Sequence, residues 1–423
     1  MTRSAPRSRR ARLRGLVLDV APLRLDRDYR WLWSGQVVGG IGNQITRIAL
    51  PYQVYVLTGS TLAIAALTAV QLVPILVFVL GAGSVADAVD RRRLLIVTQL
   101  GLAGCSLLLV LLALGGSPPV VALFAVAFVA AALASIDQPA RSSSIPRLVP
   151  QQRLPAAIAL NQLNFQAASV IGPAVGGLLL ATVGIAGAYL VDLLTFVASL
   201  AALLAIAPLP PLGGAVRPGL AAVREGLRFA IRRRVILSTF VIDLDAMIFG
   251  MPTSLFPVLA LDVFRTGPTG LGLLAAAPAV GAFLGAFLSG WVSMVRRTGR
   301  AVVIAVVIWG AAIAAFGLST FSFALALVFL AIAGAADVLS AVFRSTIVQL
   351  ETPDELRGRV TAIHIMAVTS GPRLGDIEAA AVAAAVGAQA SVVSGGILCV
   401  VGVAAVMRRF PELWRHEAPI TSG

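Results

Sequence analysis

The chain contains no lysine; all 33 of its basic residues are arginine. A phosphate-binding loop of the form G-x-x-x-x-G-K-[ST] needs its lysine, so the sequence argues against ATP hydrolysis by this chain. Cysteine is almost as scarce. Cys105 and Cys399 each fall inside an apolar run, which leaves neither a disulfide framework nor a zinc spacing. Two histidines, His364 and His416, are too few for a histidine-based metal site, and neither a metal nor a cofactor is expected. H-E-x-x-H and G-x-S-x-G are missing too, which disfavours the alternative of a membrane-embedded enzyme. Charge is the largest deficit: 12% of 423 residues, against about 25% in soluble domains.

Apolar residues fill the space. They make up 58% of the chain, and the mean hydropathy is +0.93. Forty glycines suit helices that approach closely in lipid. Runs able to cross a bilayer, about 20 apolar residues each, fall at 31–57, 61–85, 94–115, 118–140, 157–183, 187–207, 235–261, 268–294, 301–319, 321–344, 360–386 and 389–407. The first is long enough to be a helix rather than a signal peptide. The expected fold is an all-α polytopic membrane protein of about twelve transmembrane helices.

The arginines set its orientation. Connections after odd-numbered spans are short and nearly uncharged, as in TGST (58–61) and GGSPP (115–119); only DVFRTGP (262–268) carries charge. The other side holds almost every arginine, with Arg141 and Arg344 counted among its loops and Arg47 and Arg373 placed within spans. The positive-inside rule then puts both termini in the cytoplasm, for a multi-pass protein of the cell membrane. The net charge of +14 is thus a topology signal, and nucleic acid is not an expected partner.

Five segments follow: a basic N-terminal segment (1–30), a first six-helix bundle (31–207), a linker (208–234), a second bundle (235–407) and a C-terminal tail (408–423). The linker opens with PLPPLGGAVRPG, a helix stop and flexible stretch. In LAAVREGLRFAIRRR, Leu220, Val223, Leu227 and Ile231 share one helical face, with Arg224, Arg228 and Arg232 on another. Such a helix is expected to lie on the inner membrane surface. The two bundles also match each other. RSSSIPRLVPQQ (141–152) aligns with RSTIVQLETPDE (344–355), GPAVG (172–176) with GPRLG (371–375), and GAGSVADAVDRRR (81–93) with GAFLSGWVSMVRR (285–297). Parallel repeats of this kind place a substrate site between the halves.

The segment Gly83-x-x-x-Asp87-Ala88-x-Asp90-Arg91-Arg92 resembles the signature loop between the second and third helices of major facilitator superfamily transporters. It departs in having Ala88 for arginine and Asp90 for glycine. ASVIGPAVGG (168–177) resembles the fifth-helix antiporter motif, with Gly172, Pro173, Gly176 and Gly177, and residues 35–62 resemble the opening of the drug and siderophore exporter branch. The resemblance implies two pseudo-symmetric six-helix bundles working by alternating access, a small-molecule substrate, protons as the coupling ion, and a monomer. It also implies a gating cluster in which Asp87 faces the eleventh helix, while Arg91 meets Asp87 and Asp137 of the fourth. The expected function is proton-coupled export of a siderophore or drug-like amphipathic compound; uptake of a small solute is the alternative.

Charged residues inside a span each need a partner or a task. Gln36, Asn43 and Arg47 line one face of span 1; span 7 holds Asp243 and Asp245, span 10 Asp337, and span 11 Arg373, Asp376 and Glu378. The resemblance makes Arg47, Asp243 and Asp337 candidates for the cavity wall. A carboxylate alternating between a dry site and an arginine neighbour would bind and release a proton. Arg373 and Asp376, near each other on one helix, read as a static pair. Asp192 is expected to be solvated near the outer end of span 6, and Asp245 and Glu378 could face either way. Superfamily proton antiporters often carry an arginine in helix 4, and 118–134 has none.

Overall fold

In the computed structural model, residues 19–79, 89–210 and 220–417 are described. Six long helices precede a linker helix, Leu220–Arg232, and six follow it. The first six are α1 (Arg27–Thr58), α2 (Thr61–Val79), α3 (Arg91–Leu114), α4 (Val120–Leu148), α5 (Leu154–Thr182) and α6 (Gly184–Leu204). The second six are α7 (Arg234–Phe249), α8 (Gly267–Phe287), α9 (Thr298–Leu318), α10 (Phe323–Glu351), α11 (Asp354–Val386) and α12 (Ala388–Arg409). Nine helical segments among the described residues are long and apolar enough to cross a membrane, and the shorter α2 is apolar as well. α1 and α11 fall outside that set: α1 carries Gln36, Asn43, Gln44, Arg47 and Gln53 in its span, and α11 carries Arg373, Asp376 and Glu378. The helices run on past the expected spans: α10 ends at Glu351, not at 344, and takes Arg344 with it.

One end of the bundle carries most of the arginines and is called the basic end below; the opposite end is the neutral end. Local chemistry fixes the helix starts. Asp90 precedes α3 and accepts a hydrogen bond from the Arg93 N–H at 3.0 Å, a side-chain cap for a free backbone donor.

Span 7 is one run in sequence but a broken helix in the structure. α7 stops at Gly250 ahead of Pro252, a tight turn covers Thr253–Leu255, and a π turn covers Leu259–Val263. Proline cannot donate to the helix ladder, and a break at this depth must satisfy its own backbone groups. The indole Nε1 of Trp309 donates to the Gly250 carbonyl at 2.7 Å. Within the turn, the Ser254 N–H donates to the Asp376 carboxylate at 2.7 Å.

The repeats in the sequence become repeats in packing. Gly172 and Gly176 of α5 lie against Gln44, Ile45 and Ile48 of α1, while Gly371 and Gly375 of α11 lie against Met247 and Ile248 of α7. Each pair lets a backbone approach where a side chain would hold it off.

The halves meet at the neutral end. Gly177 of α5 and Gly272 of α8 touch backbone to backbone, and the Tyr55 hydroxyl of α1 donates to Asp262 in the π turn. Towards the basic end the same faces part. On α5 the row Gly177, Pro173, Val170, Gln166, Leu163, Ala159 passes from buried to exposed, with Leu163 at 41%. On α8 the row Gly272, Ala276, Ala279, Phe283, Phe287 does the same, with Phe287 at 79%. The molecule is a wedge, shut at the neutral end and open at the basic end.

The linker is helical over Leu220–Arg232 and packs on the second bundle. Gly226, Phe229 and Ala230 face α11, and Glu225 pairs with Arg359 at 2.6 Å. Leu227 and Ile231 stay exposed beside Arg224, Arg228 and Arg232; the side chains at 220–223 lie outside the described residues.

Candidate functional site

Four ionisable side chains converge inside the second bundle near its basic end. Nη2 of Arg344 (α10) lies 2.7 Å from Oδ1 of Asp243 (α7) and 3.9 Å from Oδ1 of Asp337 (α10). Nδ1 of His364 (α11) lies 4.0 Å from the other Asp243 oxygen, and its ring stacks on Phe240. Arg344 and Asp243 are sealed off, with side chains 2% and 1% exposed, whereas Asp337 is 30% exposed. Neither Asp243 oxygen sits in a hydrogen bond of good geometry, nor do Nε and Nη1 of Arg344. Buried charges are normally paired and hydrogen-bonded, so this cluster is under-satisfied in the conformation seen. Asp337 sits on its accessible edge, Asp243 behind it, and the guanidinium between them.

Sequence reasoning placed Asp243 and Asp337 among the cavity candidates but put Arg344 in a loop and passed over His364. The pointer was the internal repeat, whose two copies begin with Arg141 and Arg344. Arg141 is buried too, on α4, where it pairs with Asp137 one turn earlier. Thr98 and Gln99 of α3 donate to the same Asp137 oxygen at 2.8 and 3.3 Å. Each bundle therefore encloses an arginine–aspartate pair near its basic end, fully hydrogen-bonded at the acid in the first bundle and strained for partners in the second.

In the signature loop, Gly83, Asp87 and Ala88 lie outside the described residues. Asp90 caps α3. Arg91 Nη1 donates to the Ser143 carbonyl at 2.9 Å, and its backbone N–H reaches the Leu209 carbonyl at 3.1 Å. Arg92 donates to the carbonyls of Leu203 and Leu204 at 3.2 and 2.8 Å. These guanidiniums sit on carbonyls at or near the basic ends of α4 and α6, where cations are favoured. The ion pair at Asp137 is with Arg141 on its own helix, a correction to the expected Arg91 contact.

Closer to the middle, Asn43 and Arg47 are exposed on α1 and Gln36 is half-buried, its Oε1 without a hydrogen-bond partner among the described residues. Arg373 donates to the Thr369 carbonyl at 3.0 Å. The expected static pair with Asp376 is not formed: that carboxylate takes the Thr253 hydroxyl at 2.7 Å and the Ser254 N–H instead. The broken segment offers two donors in fixed positions, which a carboxylate can accept at once. Glu378 is half-buried.

Asp192 is not solvated. It is 1% exposed, and its Oδ2 accepts from Thr46 of α1 at 2.7 Å and Ser106 of α3 at 2.6 Å. Its other oxygen sits over Gly42 of α1, 2.7 Å from where a Cβ would be. Asp245 turns to α12, where its carboxylate rests on Gly402. The halves thus share one device with the roles exchanged. In the first, the acid is on the sixth helix and the glycine on the first; in the second, the acid is on α7 and the glycine on α12.

Residues 18–419 match the family described as transmembrane secretion effector. The chain is 27% identical over 412 residues to the enterobactin exporter EntS of Citrobacter koseri, covering 95% of this chain and 96% of that protein. It is 27% identical over 367 residues to the enterobactin exporter EntS of Shigella boydii serotype 18, covering 85% and 86%. A solved bacterial homologue of the iron transporter ferroportin, in its inward-facing state, superposes with a TM-score of 0.69 at 15% identity, over 92% of this chain and 99% of that one. A bacterial homologue of the human lysosomal transporter Spinster, inward-facing and unoccupied, does so with 0.72 at 16%, over 94% and 100%. At such identities the likeness shows the fold.

Proposed function

Because the chain belongs to the transmembrane secretion effector family of the major facilitator superfamily, we propose that it is a secondary active exporter. It carries a siderophore or similar amphipathic small molecule out of the cell in exchange for protons. The basic end is the cytoplasmic end, with both termini there, so the wedge is the inward-open state ready to load substrate. Likeness to enterobactin exporters over nearly the whole chain supports the substrate class. The protein acts as a carrier, not an enzyme, and as a monomer.

The observation that carries proton coupling is the cluster at Arg344. An arginine cannot be deprotonated in a protein, and it faces two carboxylates. With His364 neutral, the group holds one surplus negative charge or one proton. A dry site does not tolerate the former well, so filling and emptying the site moves one proton. Asp337, at the accessible edge, is the entry point. Asp243 stands behind it, and the guanidinium can lean from one acid to the other as the bundles rock. The sealed contacts at Gly177, Gly272 and Tyr55 must part for release on the far side.

Inverted membrane vesicles test this. With a pH gradient established, enterobactin should dissipate it in vesicles carrying the wild type, and Asp337→Asn should bind substrate yet leave the gradient intact. A gradient untouched by substrate, or dissipated equally by the variant, would remove the proton assignment.

A further inference from the structure

Arg224, Arg228 and Arg232 follow one another at four-residue spacing along the linker helix. At about 3.6 residues per turn they form a single row. Like charges so spaced destabilise a helix, yet among the described residues none of the three has an ion pair or a hydrogen bond. Their neighbour Glu225 is committed to Arg359 of α11 at 2.6 Å. Gly226, Phe229 and Ala230 hold the opposite side of the helix against the second bundle. Between that packed side and the arginine row lie Leu227 and Ile231, which are 44% and 53% exposed. These two apolar and three cationic side chains border a shallow groove of about 290 Å³. The packed side clusters with Val348 of α10 and Val360 of α11, three and six residues from the ends of those helices. The linker helix therefore lies where the apolar spans give way to water, at the level of the lipid head groups.

We infer that the exposed side of the linker helix is a binding surface for anionic phospholipids of the membrane in which the chain sits. Leu227 and Ile231 enter the edge of the acyl region, and the arginine row takes the head-group phosphates. A helix lying in the interface needs both kinds of side chain, and guanidinium forks match phosphate oxygens. A nucleic acid would meet the arginines and leave the two apolar side chains in water, whereas a lipid surface takes up both. Because the packed side is fastened to α11, the contact ties the basic end of the second bundle to the leaflet. This surface depends neither on what the chain carries nor on the direction of transport.

The test uses the full chain with Leu227→Cys labelled by a fluorophore, in nanodiscs of phosphatidylcholine alone or with phosphatidylglycerol. Cys105 and Cys399 are buried, so the label reports on the linker helix. With phosphatidylglycerol present, brominated acyl chains should quench the label and aqueous iodide should not. In phosphatidylcholine alone, iodide should reach it. Each arginine near an anionic surface is worth about fivefold in partitioning, so Arg228→Gln should lower the ratio of lipid-facing to water-facing label about fivefold. The triple variant Arg224→Gln, Arg228→Gln, Arg232→Gln should behave as in phosphatidylcholine alone. Ile231→Cys repeats the measurement one turn further along the same strip. Iodide quenching that ignores lipid composition, or lipid quenching that survives the triple variant, would overturn the anionic-lipid surface. So would a label shielded from both quenchers, which would mean that protein covers this face. Glycerol 3-phosphate added to phosphatidylcholine discs should change nothing; a response equal to that of phosphatidylglycerol would assign the arginines to a soluble phosphate instead.

Discussion

Substituting Gly177 with alanine puts a methyl group where the two bundles meet. The added carbon would lie 2.6 Å from the Pro268 carbonyl oxygen and 2.7 Å from the Gly272 Cα, well short of the 3.4 Å at which ordinary contact begins. Both neighbours are backbone, so no side chain can swing aside; α5 and α8 must separate at the neutral end. Overpacking of this kind costs about 1–3 kcal/mol. Here the cost falls on one conformation only, because the contact exists while the neutral end is shut and is lost when it opens. A free-energy difference of about 1–3 kcal/mol shifts an equilibrium about 5–150-fold. The reporter is Asn43→Cys, on the cavity stripe, labelled on whole cells with a membrane-impermeant maleimide. The native cysteines are both buried and contribute little background. Gly177→Ala should raise the labelling rate at least about fivefold, and Gly272→Ala should do the same, since its added carbon meets the Pro173 carbonyl oxygen at 2.6 Å. Unchanged or slower labelling in both variants would refute the wedge as a functional state and the orientation assigned to it.

Three further outcomes follow from the same contacts. Tyr55→Phe removes the hydroxyl that joins α1 to Asp262 and should also speed labelling of the Asn43→Cys reporter; unchanged labelling would mean the bond does not hold the neutral end shut. Asp243→Asn leaves Arg344 buried without its nearest countercharge, a loss of about 3–5 kcal/mol that thermal unfolding in detergent should register. The paired change Asp243→Leu with Arg344→Met should recover most of that stability but not proton-coupled export, and a single variant as stable as wild type would contradict the burial. Gly402→Ala places a carbon 2.5 Å from the Asp245 carboxyl carbon and should destabilise by about 1–3 kcal/mol, with Asp245→Ala restoring the melting temperature in the same chain; failure of that rescue would place the clash elsewhere.

The all-helical membrane fold was legible in the sequence because most of its long helices are apolar runs. Gly172, Gly176, Gly371 and Gly375 stood out because their motif occurs twice, and both copies perform the same packing task. The electrostatic site was only half legible. In a tally of loop charges Arg344 counts like any other arginine; its burial arises where α7, α10 and α11 converge, which no local pattern encodes. Asp192 was misplaced for the same reason. Position along a helix says nothing about which neighbours it faces, and its two donors come from residues 146 and 86 positions away. The break in span 7 had a visible cause, Pro252, but the groups that repair it, Trp309 and Asp376, lie far along the chain.

The polarity of α1 and α11 bears on how this protein is made. Insertion costs about 2.5–3.5 kcal/mol for each aspartate or arginine at a helix centre, against a gain of about 0.3–0.6 for each leucine. α11 concentrates Arg373, Asp376 and Glu378 within six residues, too many for the segment to enter lipid unaided. Thr253 and Ser254, which donate to its aspartate, have been synthesised long before it emerges from the ribosome. Entry of this helix is therefore assembly against earlier helices, and a defect at the seventh-helix break would surface as an eleventh helix stranded outside the bilayer, where the cell's proteases would read a packing fault as a topology fault.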